Sequence, residues 1–120
     1  MKEYKESFKV TKDDCISAIS SSLPDILGTY SIVKFMKIVS AKNINRFLDT
    51  SKYITVGERV DIEHINMVKL GDTIEICSTI IKEQKRDIFF EIKATLNGKT
   101  IATATHKRVK IPLKILNKIV

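Results

Sequence analysis

The sequence predicts an α+β domain in which an antiparallel β-sheet curls around one central α-helix. Three observations carry this prediction. In residues 29–48, "TYSIVKFMKIVSAKNINRFL", Ile32, Val33, Phe35, Met36, Ile38 and Val39 cover nearly the whole circumference of a helix, so that helix must be buried on most sides. Four segments with strand-like alternation follow it. Asn97-Gly98 stands between the last two, and it is the strongest hairpin signal in the chain, because a type I′ turn needs positive φ at both central residues. An apolar rod followed by a meander of strands has few stable packings, and wrapping the sheet around the rod is the simplest.

Each element has its own local reason. "YKESFKV" alternates as a short strand ending near Val10. "TKDDCISAI" then supplies a threonine cap, acidic first-turn residues and apolar Cys15, Ile16 and Ile19, the pattern of a short helix, and "SSSLPDILG" is a loop. Gly28 and Thr29 mark the start of the central helix, the glycine relaxing the backbone and the threonine offering a capping oxygen. Asn43, Asn45 and Arg46 give that helix a more polar second half. Beyond "DTSKY", "ITVGERVDIEH" places Val60, Ile62 and His64 on one strand face and Asp61 and Glu63 on the other. "VKLGD" turns into "TIEICSTIIKEQ", and "KRD" turns again into "IFFEIKATL". The last strand, "KTIATATHKRVKI", stops at Pro112, after which "LKILNKIV" fits one or two amphipathic helical turns with Leu113, Leu116 and Ile119 inward.

Composition narrows the function classes. A chain of 120 residues accommodates one core, so residues 1–120 are expected to form a single domain. No segment approaches the ~20 apolar residues of a membrane span, and "MKEYKESFKV" lacks the apolar run of a secretion signal, so a cytoplasmic protein without a membrane role is expected. Cys15 and Cys77 show no metal-ligand spacing and read as reduced structural thiols, and no metal is expected. The net charge of +7 favours an anionic partner, but the basic residues are scattered and aromatics are only 7%. Nucleic acid is therefore not the expected partner, whereas a polyanionic small molecule such as a coenzyme uses the same charge. A sheet with an open edge predicts pairing of two copies edge to edge, giving a homodimer; the sequence does not separate a dimer from a dimer of dimers.

"LGTYSIVKFMKIV", "VGERVDIEH" and "ATATHKRVKI", in this order, resemble the fluoroacetyl-CoA thioesterase-like branch of the hot-dog thioesterases, across about residues 5 to 118. In that branch a threonine begins the central helix, an acidic residue follows eight positions later, and a glycine precedes a strand histidine by seven. Thr29, Gly57 and His64 match that register, and "ATHKR" at Ala104–Arg108 is similar to the family's "GTHER"-like last strand. The resemblance implies a hot-dog fold and an acyl-CoA substrate, with coenzyme A arriving as part of that substrate and no other cofactor. The chain departs from the family at Lys37, a cation where the family's helix carries its carboxylate.

These residue types suit thioester chemistry. The N-terminus of the helix at Thr29 can stabilise an oxyanion, with the Thr29 hydroxyl as a further hydrogen-bond partner or the nucleophile, and His64 can accept and return a proton near neutral pH. Each also has a structural reading: Thr29 as a helix cap, and His64 as a hydrogen-bonded core or interface residue. Gly57, Lys37, Tyr30 and Arg108 are the expected substrate-binding residues, with the acyl site near the subunit interface. Lys37 is a solvated lysine in a positive stripe with Lys34, an anchor for an acidic acyl group or phosphate, or a desolvated base. Arg59, Lys107 and Arg108 are candidates for the coenzyme A phosphates at the surface, and Ser31 and Ser40 are further polar candidates. His106 reads either as part of the ligand site or as an edge or interface histidine. Asp61 and Glu63 cannot supply the absent carboxylate to His64, because the pleat sends them to the opposite face. The resulting expectation is a thioesterase acting on a small acyl-CoA, the alternative being a protein that binds acyl-CoA or another small acidic ligand without cleaving it.

Overall fold

The computed structural model describes residues 2–120. Five antiparallel strands, β1 (Lys2–Lys9), β2 (Tyr53–His64), β3 (Thr73–Gln84), β4 (Asp87–Leu96) and β5 (Lys99–Pro112), form one sheet in the order β1-β3-β4-β5-β2. Helix α1 (Thr29–Asn45) lies against its inner face, and a short helix α2 (Leu113–Ile119) follows β5. The hot-dog arrangement expected from the sequence is thus the one observed.

Alternation builds the core. Ile74, Ile76 and Ile80 of β3, Phe90, Ile92 and Ala94 of β4, and Ala102 and Ala104 of β5 face inward against Ile32, Phe35, Met36 and Val39 of α1. The Phe8 and Phe35 rings stack with centroids 4.4 Å apart, joining β1 to the helix. In the polar second half of α1, Asn43 is buried while Asn45 and Arg46 are exposed. Asn43 donates to the carbonyls of Ser78 and Lys2, both at 3.0 Å, and the Ser40 and Ser78 hydroxyls lie 2.9 Å apart, so these groups are satisfied inside the fold. Ser40 is therefore a core hydrogen-bonding residue. The hairpin turn behaves as its chemistry requires, with φ of 49° at Asn97 and 80° at Gly98.

Four local expectations are corrected. Residues 11–19 form two 3₁₀ turns, Lys12–Asp14 and Ile16–Ala18, and not one helix. The Thr11 N–H and hydroxyl both donate to the Asp14 carboxylate, closing a capping box over a single turn, and extended Cys15 is then drawn into a bridge with Leu27. Helix α1 ends at Asn45, three residues early, because the Asp49 carboxylate accepts from the N–H and hydroxyl of Ser51 and starts a turn. Within one chain α1 is buried on one side only: Tyr30, Lys34 and Lys37 are exposed, and Val33 and Ile38 are half-buried. Leu113 and Leu116 of α2 are half-buried, but Ile119 is exposed, since α2 meets only the end of β5.

Candidate active site

Helix α1 begins where the chain leaves its loop at Gly28, which occupies the cap position with φ −78° and ψ 145° and makes no side-chain cap bond. Thr29, expected to cap, is instead the first helical residue, and its hydroxyl is hydrogen-bonded to His64. The Gly28 carbonyl takes the N–H groups of Ser31 and Ile32, so those of Thr29 and Tyr30 open the positive end of the helix without a helical partner. Gly28 has a steric reason too: a Cβ there would stand 2.3 Å from Cε1 of Tyr30. The Tyr30 ring lies over the glycine, held by its hydroxyl donating to the Cys15 carbonyl at 2.8 Å, and so borders the helix end beside Thr29.

His64 ends β2 on the half-buried face that alternation assigned to it. Its Nδ1 is 2.8 Å from Thr29 Oγ1, and its Nε2 is 2.9 Å from the Asn66 carbonyl oxygen. A carbonyl can only accept, so Nε2 carries the proton, Nδ1 carries the lone pair, and the Thr29 hydroxyl donates to it. The loop that presents the Asn66 carbonyl is fixed in turn: Ile65 and Asn66 N–H both donate to the Ile101 carbonyl, and the Asn66 amide donates to the Thr100 carbonyl at 2.7 Å. Hydroxyl, base and orienting acceptor therefore form one connected line, the geometry in which a hydroxyl becomes a nucleophile. The orienting group is a neutral carbonyl where a carboxylate often stands.

A second cluster surrounds Gly57. Here β2 carries a bulge between Gly57 and Arg59, and Gly57 pairs with Arg108 across β5. A Cβ at Gly57 would stand 2.7 Å from Lys37 Cε, and 3.2 Å from both Lys37 Nζ and His106 Cε1, so the glycine makes room for the lysine head. His106 is 2% exposed and stacked on Phe90, its Nδ1–H donating to the Arg59 carbonyl at 2.7 Å. Its Nε2 accepts from Arg108 Nη1 at 3.2 Å. Burial, and then the charges of Arg108 and Lys37, push its pKa down to about 4, so the ring is neutral at pH 7. Arg108 is 7% exposed and donates to the hydroxyl and the carbonyl of Thr55, both at 2.9 Å. Desolvation lowers its pKa.

The structure therefore joins Thr29, His64 and Tyr30 in one place and Gly57, Lys37 and Arg108 in another. Two expectations fail. Arg108 is an inner-face residue and not a surface contact for phosphates, and His106 is buried beneath the helix on a strand paired on both sides, not at an edge. Lys107, on the outer face, is paired with Glu58 at 2.9 Å. Lys37 does not touch His64; its head lies over Gly57. The Asn66 carbonyl went unforeseen because it is a backbone atom with no sequence signature, whereas Thr55 could have been found from its alternation with Gly57. A cleft of about 610 Å³ is on the outer face, lined by Asp61, Glu63, Cys77 and Glu91, on the opposite side of β2 from His64. Thr29 and Tyr30 are exposed, so a single chain leaves the Thr29–His64 site open to solvent. Among the described residues no helix is long and apolar enough to cross a membrane.

The family model described as fluoroacetyl-CoA-specific thioesterase, FlK, matches residues 10–114. No curated protein matches the sequence. Among solved structures, a hot-dog-like protein of Thermanaerovibrio acidaminovorans has a TM-score of 0.88 at 20% identity, over 97% of this chain and 85% of its own. A thioesterase superfamily member of Thermus thermophilus has a TM-score of 0.89 at 18% identity, over 98% and 86%. The fluoroacetyl-CoA thioesterase FlK has a TM-score of 0.87 at 16% identity, over 97% and 90%. At these identities the structural likeness is one of fold.

Proposed function

The chain belongs to the fluoroacetyl-CoA-specific thioesterase family, and we propose that it hydrolyses the thioester of a small acyl-CoA to the free acid and coenzyme A. One observation carries the reading: the Thr29 hydroxyl donates at 2.8 Å to a His64 ring whose other nitrogen is engaged by the Asn66 carbonyl. His64 Nδ1 takes the Thr29 proton as Oγ1 attacks the thioester carbonyl. The oxyanion that forms is stabilised by the N–H groups and dipole at the start of α1. The C–S bond then breaks, and the departing thiolate recovers the proton from Nδ1. Water, deprotonated by the same nitrogen, cleaves the acyl-threonine ester and restores the hydroxyl. Coenzyme A enters only with the substrate, and the reading invokes no other cofactor.

Assembly belongs to the same proposal. β2 is a sheet edge of 12 residues paired only with β5, and Tyr30, Val56, Ile65 and Met67 are exposed apolar side chains on or near it. Edge pairing of two copies satisfies that strand and covers the open site, and we propose a cytoplasmic homodimer on this ground. Its mass in sedimentation should be twice 13.6 kDa.

The test is release of free thiol from a panel of acyl-CoAs. Turnover is expected in the native chain, with a drop of about 10²-fold or more in His64→Ala and in Thr29→Ala at unchanged fold and oligomeric mass. Lys37, the cation at the family's carboxylate position, favours a second reading in which acyl-CoA is bound and not cleaved. Coenzyme A raising the melting temperature with no thiol released from any ester would select that reading.

A further inference from the structure

The Gly57 cluster holds more positive charge than the chain itself balances. Arg108 is buried, yet its hydrogen bonds go to Thr55 and His106, all neutral acceptors. Lys37 projects its ammonium over Gly57 toward the same place. Among the described residues, neither makes an ion pair with a carboxylate, whereas Lys2, Lys5, Lys12, Lys42, Lys52 and Lys107 all do. A buried guanidinium without a counter-charge is costly, and a second cation beside it adds to that cost.

The arrangement is open to a ligand. Three of the five guanidinium N–H groups of Arg108 are engaged by Thr55 and His106, leaving two to donate. The absence of a side chain at Gly57 leaves a gap bounded by Lys37 Nζ and the His106 ring, each 3.2 Å from the point a Cβ would occupy, with Arg108 directly across the strand pair. Two cations without a counter-charge beside an unfilled gap suit a ligand that carries an anion. The planar guanidinium suits a carboxylate, and its burial on the inner face sets it apart from the surface, where a bulky nucleotide would lie.

We infer that Lys37 and Arg108, facing each other around Gly57, bind a carboxylate carried by the acyl part of the ligand, so that the preferred thioesters are those of dicarboxylic acids. This deepens the thioesterase reading and depends on it for the word substrate, while the anion site stands or falls separately. About eight residues of helix, roughly 12 Å at 1.5 Å per residue, separate Thr29 from Lys37 on one chain. The length of the preferred acid is therefore read from a series.

Two measurements test it. Succinyl-, glutaryl- and adipyl-CoA are compared with butyryl-, valeryl- and hexanoyl-CoA in the native chain, in Lys37→Met and in Lys37→Arg. At least one carboxylated ester is expected to exceed its neutral partner by tenfold or more in kcat/KM; Lys37→Met abolishes that ratio and Lys37→Arg keeps it. Neutral esters cleaved as well as the carboxylated ones, or a preference unmoved in Lys37→Met, overturn the inference and leave the thioesterase reading intact. Binding is followed independently by the His106 ring resonances during titration with free glutarate, with glutaramide as the neutral control. Glutarate should shift those resonances and raise the pH at which the ring titrates, and Lys37→Met should weaken the effect at least tenfold. Should no ester be cleaved, this titration decides: no glutarate effect overturns the anion site. An effect of coenzyme A alone without one of glutarate assigns the cations to phosphate and overturns it too. Lys37 is exposed, so its variants are expected to fold, and an unchanged melting temperature checks this.

Discussion

Lowering the pH from 7 to 4 titrates His106 in the unfolded chain well before it does so in the folded one. The unfolded imidazole takes up a proton near 6.5, while the folded one resists until about 4, because charging it means burying a third cation among Arg108 and Lys37. Those two are the charged side chains acting on the ring; β2 contributes the Arg59 carbonyl and β4 the Phe90 ring. Between the two pKa values the unfolded state binds more protons, so stability rises with pH across this window and is lost as pH falls from about 6.5 to about 4. A gap of that width at ~1.4 kcal/mol per unit corresponds to a full loss of about 3.5 kcal/mol, of which about 3 kcal/mol has gone by pH 4, a large share of the stability of a small domain. Urea unfolding of the native chain and of His106→Gln, at half-unit steps from pH 7.5 to 4, measures it. Glutamine can accept from Arg108 and donate to the Arg59 carbonyl but does not titrate, so subtracting the two curves removes the carboxylates common to both. The difference should change by about 3 kcal/mol across the window. Parallel curves would refute the argument, and with it the claim that this ring is neutral because its surroundings are buried and cationic.

Three further outcomes follow from the geometry. Asn66→Ala removes the tether to the Thr100 carbonyl that steadies the acceptor of His64. As a positioning residue it should lower kcat severalfold with little change in KM and move the acid limb of the pH–rate profile; a fall in stability alone, with both unmoved, would leave it merely structural. Gly28→Ala drives a methyl group into the Tyr30 ring, 2.3 Å from Cε1, and should cost about 1–3 kcal/mol in thermal unfolding. Tyr30→Phe in the same background should not restore it, since the ring and not the hydroxyl is in the way. Asp14→Ala deletes both bonds of the capping box with Thr11 and should cost about 1 kcal/mol by urea melting.

What was legible in the sequence is what local chemistry decides. Period-2 alternation assigned the faces of β2 to β5, so Asp61 and Glu63 were separated from His64 without coordinates. The demand for positive φ located the Asn97-Gly98 turn, and the apolar surface of α1 required a sheet to wrap it. The shared register of Thr29, Gly57 and His64 gave the parts of the site. Their grouping was not legible, because it depends on contacts between residues distant in the chain. Whether Thr29 caps its helix or serves His64 is settled by a loop that delivers Gly28 and by a strand end 35 residues away. Arg108 was assigned to the surface because arginine is usually there; a place opposite Gly57, at a bulge in β2, puts it inside.

By itself, then, the sequence determined the fold and the residue types that could do chemistry, since periodicity, turn φ and hydrophobicity act within a few residues. Only the tertiary structure decided that these residues form two centres, a threonine–histidine pair held by a backbone carbonyl and a cationic cluster around a glycine. Strand register and one bulge control those distances, and both are set by the packing of the whole sheet against the helix.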